Sequence, residues 1–150
     1  MSEAIAFPET RTNAAEQLAD RYHALWNEAD PERRRLMIPG LYAEDGAQIL
    51  QPPQEMRAIA ASAGIGMAAT LEARGHSALR ARATTSYEHG VGSEGLSFRA
   101  RDDAHRLGDV VKFHWEAVAD DSSTATVGLN VLVLAADGRV QRNYTFVDFA

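Results

Sequence analysis

The sequence contains no cysteine. Disulfides, thiolate nucleophiles and cysteine–zinc sites are thereby excluded, and the absence fits a reducing compartment. Long apolar runs are missing too. The most apolar stretch, Val127 to Ala136, is far too short to span a bilayer as a helix. The opening MSEAIAFPET lacks the basic segment and apolar run of a secretory signal, so the expected location is cytoplasmic. Positive charge is also in deficit, with a formal net charge of −6. Nucleic acid and anionic membrane surfaces both demand a basic face, so neither is expected as a partner. The dense basic run Arg33-Arg34-Arg35 has acidic neighbours on both sides and reads as a solvated helix face.

Several chemical signatures are absent. Gly64-Ile65-Gly66 lacks the further glycines and the lysine of a phosphate loop. The histidines at 23, 76, 89, 105 and 114 make no HExxH or similar metal spacing. Ser62, Ser77, Ser86 and Ser97 have no nucleophile-elbow context. No metal and no cofactor are expected.

The 150 residues, 45% of them hydrophobic and 24% charged, suit a single domain over residues 1–150 with one apolar core. Residues 1–11 read as a mobile lead-in. A first helix is expected from about Asn13, with Asn13 as cap and Glu16 three residues on, as in a capping box. Ala15, Leu18, Tyr22, Leu25, Trp26 and Ala29 form its apolar stripe. Asp30-Pro31 should open a second helix carrying Leu36, Met37, Leu41 and Tyr42, which Pro39-Gly40 should kink or interrupt. Gly46 to Leu50 reads as a strand, and 52–68 as a long loop with about one helical turn. A third helix is expected over 76–89, capped by Ser77 and ended by Gly90 and Gly92.

Strands should fill the rest. Leu96 to Asp102 is one. Val110 to Val118 alternates, with Val111, Phe113, Trp115 and Ala117 on one face and Lys112, His114 and Glu116 on the other. Thr124 to Ala135 is nearly continuous apolar sequence, as in a strand covered on both faces. Asp137-Gly138 marks a hairpin before a last strand, Val140 to Phe149. Helices first and an antiparallel sheet after them argue for an α+β fold, whose sheet must curl round the helices.

Five stretches together resemble the nuclear transport factor 2-like superfamily, in particular its SnoaL-like branch. They are Arg21-Tyr22-His23-Ala24-Leu25-Trp26-Asn27-Glu28-Ala29-Asp30, Leu41-Tyr42-Ala43-Glu44-Asp45-Gly46, Leu71-Glu72-Ala73-Arg74-Gly75-His76, Val111-Lys112-Phe113-His114-Trp115-Glu116 and Asp137-Gly138-Arg139-Val140. Their order spans nearly the whole chain. The resemblance implies three N-terminal helices packed in a strongly curved, mostly antiparallel sheet, a cone-shaped barrel with an internal pocket. It also implies a homodimer through the outer face of the sheet, where Tyr144 and Phe146 would stand. Segment 52–68 is longer than the usual connection and is placed to cover the pocket mouth.

Ketosteroid isomerase, a member of the superfamily, supplies a chemical template: a tyrosine and a protonated acid hold a carbonyl oxygen while an aspartate moves the proton. Tyr22 matches that tyrosine and Asn130 stands at the acid, so this pair is the catalytic candidate. The proton-moving aspartate falls at or beside Leu50, and neither Leu50 nor Gln51 can be a base. Trp26, Leu50, Phe113, Trp115, Gly128, Asn143 and Thr145 are the expected ligand-contacting residues, with Val147 also concave and Gly128 leaving space for a ligand. For Tyr22, Trp26, Phe113 and Trp115 plain core packing is the alternative, and for Asn130 a purely structural hydrogen-bond role. Asn143 and Thr145 equally suit a solvated sheet end. His76, His105, Glu55 and Glu72 remain as bases, although none matches the pocket histidines of scytalone dehydratase. The Asp-Arg-Asp set of limonene epoxide hydrolase has no counterpart. Three functions stay open: a lyase, isomerase or cyclase acting on an oxygenated apolar substrate; a carrier without chemistry; and a dimeric interaction module.

Overall fold

The computed structural model describes residues 7–52, 54–64 and 70–147. Helix α1 spans Phe7–Asn27. It starts ahead of Asn13, which lies inside it rather than at its cap. Pro8 suits a first helical turn, and an asparagine within a long helix carries only a modest penalty. Residues 7–11 of the expected lead-in are therefore helical. The stripe is buried as expected from Ala15 through Trp26, whereas Ala29 lies past the helix end and is exposed.

Helix α2, Pro31–Leu41, starts where Asp30-Pro31 dictates: the Asp30 carboxylate accepts the Glu32 N–H at 3.0 Å. Pro39 sits in the last turn without breaking it. Ile38 and Leu41 are buried, but Leu36 is 62% exposed. The basic run is only partly a solvated face. Arg33 and Arg35 are exposed, while Arg34 is buried, donates to the Ala83 carbonyl at 3.3 Å and lies 4.8 Å from the Tyr87 ring centroid.

Strand β1, Tyr42–Leu50, follows at once. The expected loop at 52–68 contains a nine-residue helix, α3, Gln54–Ser62. Its Met-Arg-Ala-Ile-Ala-Ala core has high helix propensity, and the prolines precede its start. Residues 65–69 of that segment lie outside the described residues. A short strand, β2, Leu71–Arg74, leads into α4, Gly75–Ser86. Arg74 occupies its cap position without a side-chain bond, so Ser77 is not the cap. Gly90 and Gly92 do not end the helical path either. A π-turn, Tyr87–Val91, and a final turn, Gly92–Glu94, carry it to Gly95, whose φ of +67° is the left-handed conformation that stops it.

The remaining strands are β3 (Ser97–Ala100), β4 (His105–Leu107), β5 (Val110–Val118), β6 (Thr124–Leu134) and β7 (Val140–Val147). The sheet order is β2-β1-β7-β6-β5-β3, with β4 also on β5. Every pairing is antiparallel except β1 with β7. The fold is α+β and the sheet is curved, but it is open rather than a closed barrel, because its ends, β2 and β3, do not pair. Gly138, with φ +87°, makes the turn expected at Asp137-Gly138. On β5 the expected inward residues Val111, Phe113, Trp115 and Ala117 are all buried. The β6 strand is less enclosed than its composition suggests: Asn130, Leu132 and Leu134 are buried, while Leu129, Val131 and Val133 on its other side are half-buried. The core joins the α1 stripe to Leu79 and Ala83 of α4 and to Val111, Phe113, Leu132 and Val140 of the sheet. Among the described residues no helix is long and apolar enough to cross a membrane.

Candidate functional site

Sheet register brings four polar side chains together on the concave face. Asn130 is paired with Thr145 across β6 and β7, and Gln48 with Asn143 across β1 and β7. All four are buried. A buried polar group must find partners or destabilise the fold, and these find one another. Asn130 Oδ1 accepts from Thr145 Oγ1 at 2.7 Å, from Asn143 Nδ2 at 3.1 Å and from the Tyr22 hydroxyl at 3.3 Å. The Tyr22 hydroxyl is closer still to Asn143 Oδ1, at 2.8 Å, so its single proton is shared between two acceptors. Tyr42 donates to the same Asn143 oxygen at 2.9 Å. Gln48 Nε2 donates to Tyr22 at 3.4 Å and to Thr145 Oγ1 at 3.3 Å.

Three donors converging on Asn130 Oδ1 fix the orientation of that carboxamide. Its amide nitrogen then turns away from the network, without a hydrogen-bond partner among the described residues. Asn130 borders a cavity of about 130 Å³, also lined by Tyr22, Trp26, Leu50, Trp115 and Thr145. His23, Gln48, Arg82, Ser86, Phe98 and Val147 complete the wall. Several polar atoms of these residues are buried without a partner: both His23 nitrogens, Trp26 Nε1, Gln48 Oε1, Arg82 Nε and Trp115 Nε1. A wall that is aromatic with a few convergent polar atoms is the usual character of a small-molecule site.

Burial sets the ionisation of the wall. It raises the Tyr22 phenol above its ordinary value, against hydrogen bonds from Thr145 and Gln48 and the charge of Arg82. Burial lowers His23 to about 4, leaving a neutral imidazole at pH 7. Its ring meets those of Tyr22 and Phe113 edge-on, each at 5.4 Å between centroids. Burial also lowers Arg82, but a guanidinium stays charged. A larger cavity of about 580 Å³ adjoins the first through Gln48, Leu50, Arg82 and Ser86. Met56 of α3 borders it, together with Glu72 and His89.

No family model and no curated protein matches the sequence. Solved structures do match its fold. A SnoaL-like family protein from Agrobacterium tumefaciens, named as a candidate isomerase, superposes with a TM-score of 0.72 at 21% identity, covering 90% of this chain and 97% of that one. A nuclear transport factor 2-like protein of unknown function from Exiguobacterium gives 0.59 at 16% identity, covering 89% and 99%. A protein with a ketosteroid isomerase-like fold from Catenulispora acidiphila, in complex with trimethylamine, gives 0.57 at 11% identity, covering 86% and 83%. The chain has the nuclear transport factor 2-like fold.

Within this fold the expected residues divide into two groups. Tyr22, Trp26, Leu50, Trp115, Asn130, Thr145 and Val147 line the smaller cavity. Phe113, Gly128 and Asn143 stand behind it. Phe113 packs against Tyr22 and His23. Asn143 is fully enclosed beneath the network. The space at Gly128 holds protein rather than a ligand: a Cβ there would lie 2.3 Å from the Trp115 indole and 2.2 Å from the Phe146 carbonyl oxygen. Among the candidate bases, Glu72 borders the larger cavity but is paired with Arg74 at 3.0 Å. His76 Nε2 lies 3.0 Å from the Tyr42 carbonyl oxygen, and Glu55 and His105 are exposed. His23, Gln48 and Arg82 were missed by sequence reasoning. His23 adjoins Tyr22 in the helix, and two consecutive inward residues widen a stripe beyond simple periodicity. Gln48 is two residues before Leu50, and period-2 alternation in β1 is the signal that would have found it. Among the described residues no group of three His, Asp or Glu is placed to hold a metal ion.

Proposed function

We propose that this chain binds a small, oxygenated, mostly apolar molecule in the cavity between α1, α4 and the concave sheet. The observation that carries the reading is the Asn130 carboxamide, pinned by three donors at its oxygen and left with free N–H groups on a cavity wall. Such N–H groups suit a carbonyl or hydroxyl oxygen, with Trp26, Phe98 and Trp115 around its apolar body. In this reading Tyr22 and Thr145 act mainly by holding Asn130. The interaction-module reading loses ground, because it requires the space beside Asn130 to be filled by packed side chains.

A second reading, a lyase, isomerase or cyclase, draws on His23. Its two ring nitrogens lack partners on the same wall as Tyr22 and Asn130. A neutral imidazole can accept a proton, although its low pKa makes it a weak base. The name of the Agrobacterium relative agrees with this chemistry by analogy of fold alone. A panel of cyclic ketones and alcohols, scored by thermal shift and by turnover, separates the cases. Binding that weakens about tenfold or more in Asn130→Leu is the expected result. Turnover lost in His23→Gln with binding retained marks an enzyme, and binding without turnover marks a carrier. Absence of binding across the panel and across the corresponding cyclic acids would sink the pocket.

The proposal includes a single domain over residues 1–150, a cytoplasmic setting and a homodimer formed through the outer face of the sheet. Leu129 and Val131 of β6 and Tyr144 of β7 give that face a half-buried apolar stripe, with Lys112 and Glu116 alongside on β5.

A further inference from the structure

Arg82 stands where the two cavities meet and lines both. Its guanidinium carbon lies 5.6 Å from the centroid of the Trp26 ring. Arg33, Arg35, Arg74, Arg99, Arg101 and Arg139 each hold a carboxylate nearer the surface. Arg82 pairs with none among the described residues, and its Nε is buried without a hydrogen-bond partner. Arg82 is half-buried, and a cation partly withdrawn from water is stabilised by an anion or by a full set of hydrogen bonds. The phenols whose charge state it influences, Tyr22 and Tyr42, are kept neutral by burial and do not supply that anion.

The smaller cavity has room for a single ring beside Arg82. Its volume of about 130 Å³ is close to that of an engineered apolar cavity of about 150 Å³ that holds benzene. Aromatic walls from Trp26, Phe98 and Trp115 suit a flat ring. One guanidinium fork matches one carboxylate in geometry and charge. A phosphate dianion would be left half-compensated, because the larger cavity adds Glu72 rather than a second cation.

We infer that the ligand is a small cyclic or aromatic carboxylic acid, its ring in the smaller cavity and its carboxylate on the Arg82 guanidinium at the opening to the larger one. The inference rests on the cavity being a ligand site and adds the charge of the ligand to that reading. The Asn130 N–H groups then meet a ring oxygen or ring substituent at the far end.

Benzoate and benzamide, which share size and shape, are the probes, titrated by calorimetry into wild type, Arg82→Gln and Arg82→Lys. Benzoate should bind wild type about tenfold or more tighter than benzamide. That preference should vanish in Arg82→Gln and survive in part in Arg82→Lys. If Arg82→Gln does not fold, Arg82→Lys serves alone: it should narrow the preference for benzoate and leave benzamide affinity unchanged. Equal affinities, or a preference that persists undiminished in Arg82→Gln or Arg82→Lys, overturn the carboxylate while the pocket stands. Failure of both probes to bind at millimolar concentration overturns the acid together with the pocket.

Discussion

Asn143 uses its whole hydrogen-bonding capacity. Its oxygen accepts from Tyr22 and Tyr42, and its nitrogen donates to Asn130 and Thr145. No other carboxamide in the network is so fully satisfied, since Gln48 Oε1 has no partner. The contrast divides the roles within one cluster: Asn143 anchors, and Asn130 and Gln48 line the cavity with hydrogen-bonding capacity left over. Asn143→Leu removes the acceptor of the buried Tyr42 hydroxyl and one of the three donors that hold Asn130. The expected cost is about 2–4 kcal/mol, read as a lower urea midpoint at unchanged slope. A loss below about 1 kcal/mol would mean that water or rearranged side chains replace the anchor.

Among the elements, β6 has two faces with different tasks. One carries Asn130, Leu132 and Leu134 into the core, and the other carries Leu129, Val131 and Val133 outward. Val131 is paired with Lys112 on one side and Tyr144 on the other, at the middle of the outer surface. Under the proposed homodimer, Val131→Lys places a second cation beside Lys112 and its counterpart beside the same surface of the other copy. Light scattering should give twice the chain mass for wild type and the chain mass for the variant. A monomeric wild type at micromolar concentration would exclude this interface. Helix α4 likewise has a dual face, since Leu79 and Ala83 enter the core while Arg82 and Ser86 border the cavities.

For the whole molecule, His23 ties stability to pH. Its pKa in the folded chain is lowered by burial from 6.5 to about 4. Between these values the unfolded chain binds a proton that the folded chain refuses, so stability rises with pH across the window and is lost as pH falls through it. At pH 7 the imidazole is largely neutral in both states and the contribution is small. A tenfold difference in proton affinity between the two states is worth about 1.4 kcal/mol, so this group alone lowers the unfolding free energy by about 3 kcal/mol from pH 6.5 to 4. Denaturant unfolding of wild type and His23→Leu across that range isolates the effect. The difference between the two should change in favour of the variant as pH falls, and parallel profiles would show that His23 protonates without penalty. A bound carboxylic acid would oppose the loss at the higher end of the window, because it stabilises only the folded chain.

Much of the local structure was legible because its causes are local. The α1 stripe from Ala15 to Trp26, the Asp30 cap, the β5 alternation and the turn at Asp137-Gly138 each follow from helical period, strand period or turn chemistry. The nine-residue helix α3 and the passage of α4 into a π-turn were not: the prolines and glycines flanking the first masked its favourable propensity, and Gly90 and Gly92 read as a stop in the second although the helical path runs on through them. Tyr22, Asn130 and Thr145 were identified through family resemblance, and their meeting depends on the register of β6 with β7. Gln48 joins them only because β1 inserts parallel to β7, a pairing between segments about a hundred residues apart that no local period encodes. Arg82 faces the cavities because of how α4 docks on β1, not because of its own neighbours in sequence. The order of residues was enough to say roughly where most helices and strands lie and which of their faces are apolar, because those follow from short-range sterics and hydrophobic period. Which polar groups satisfy one another and which are left for a ligand emerged only on folding, because burial and hydrogen-bond partnership are properties of the assembled sheet and helices.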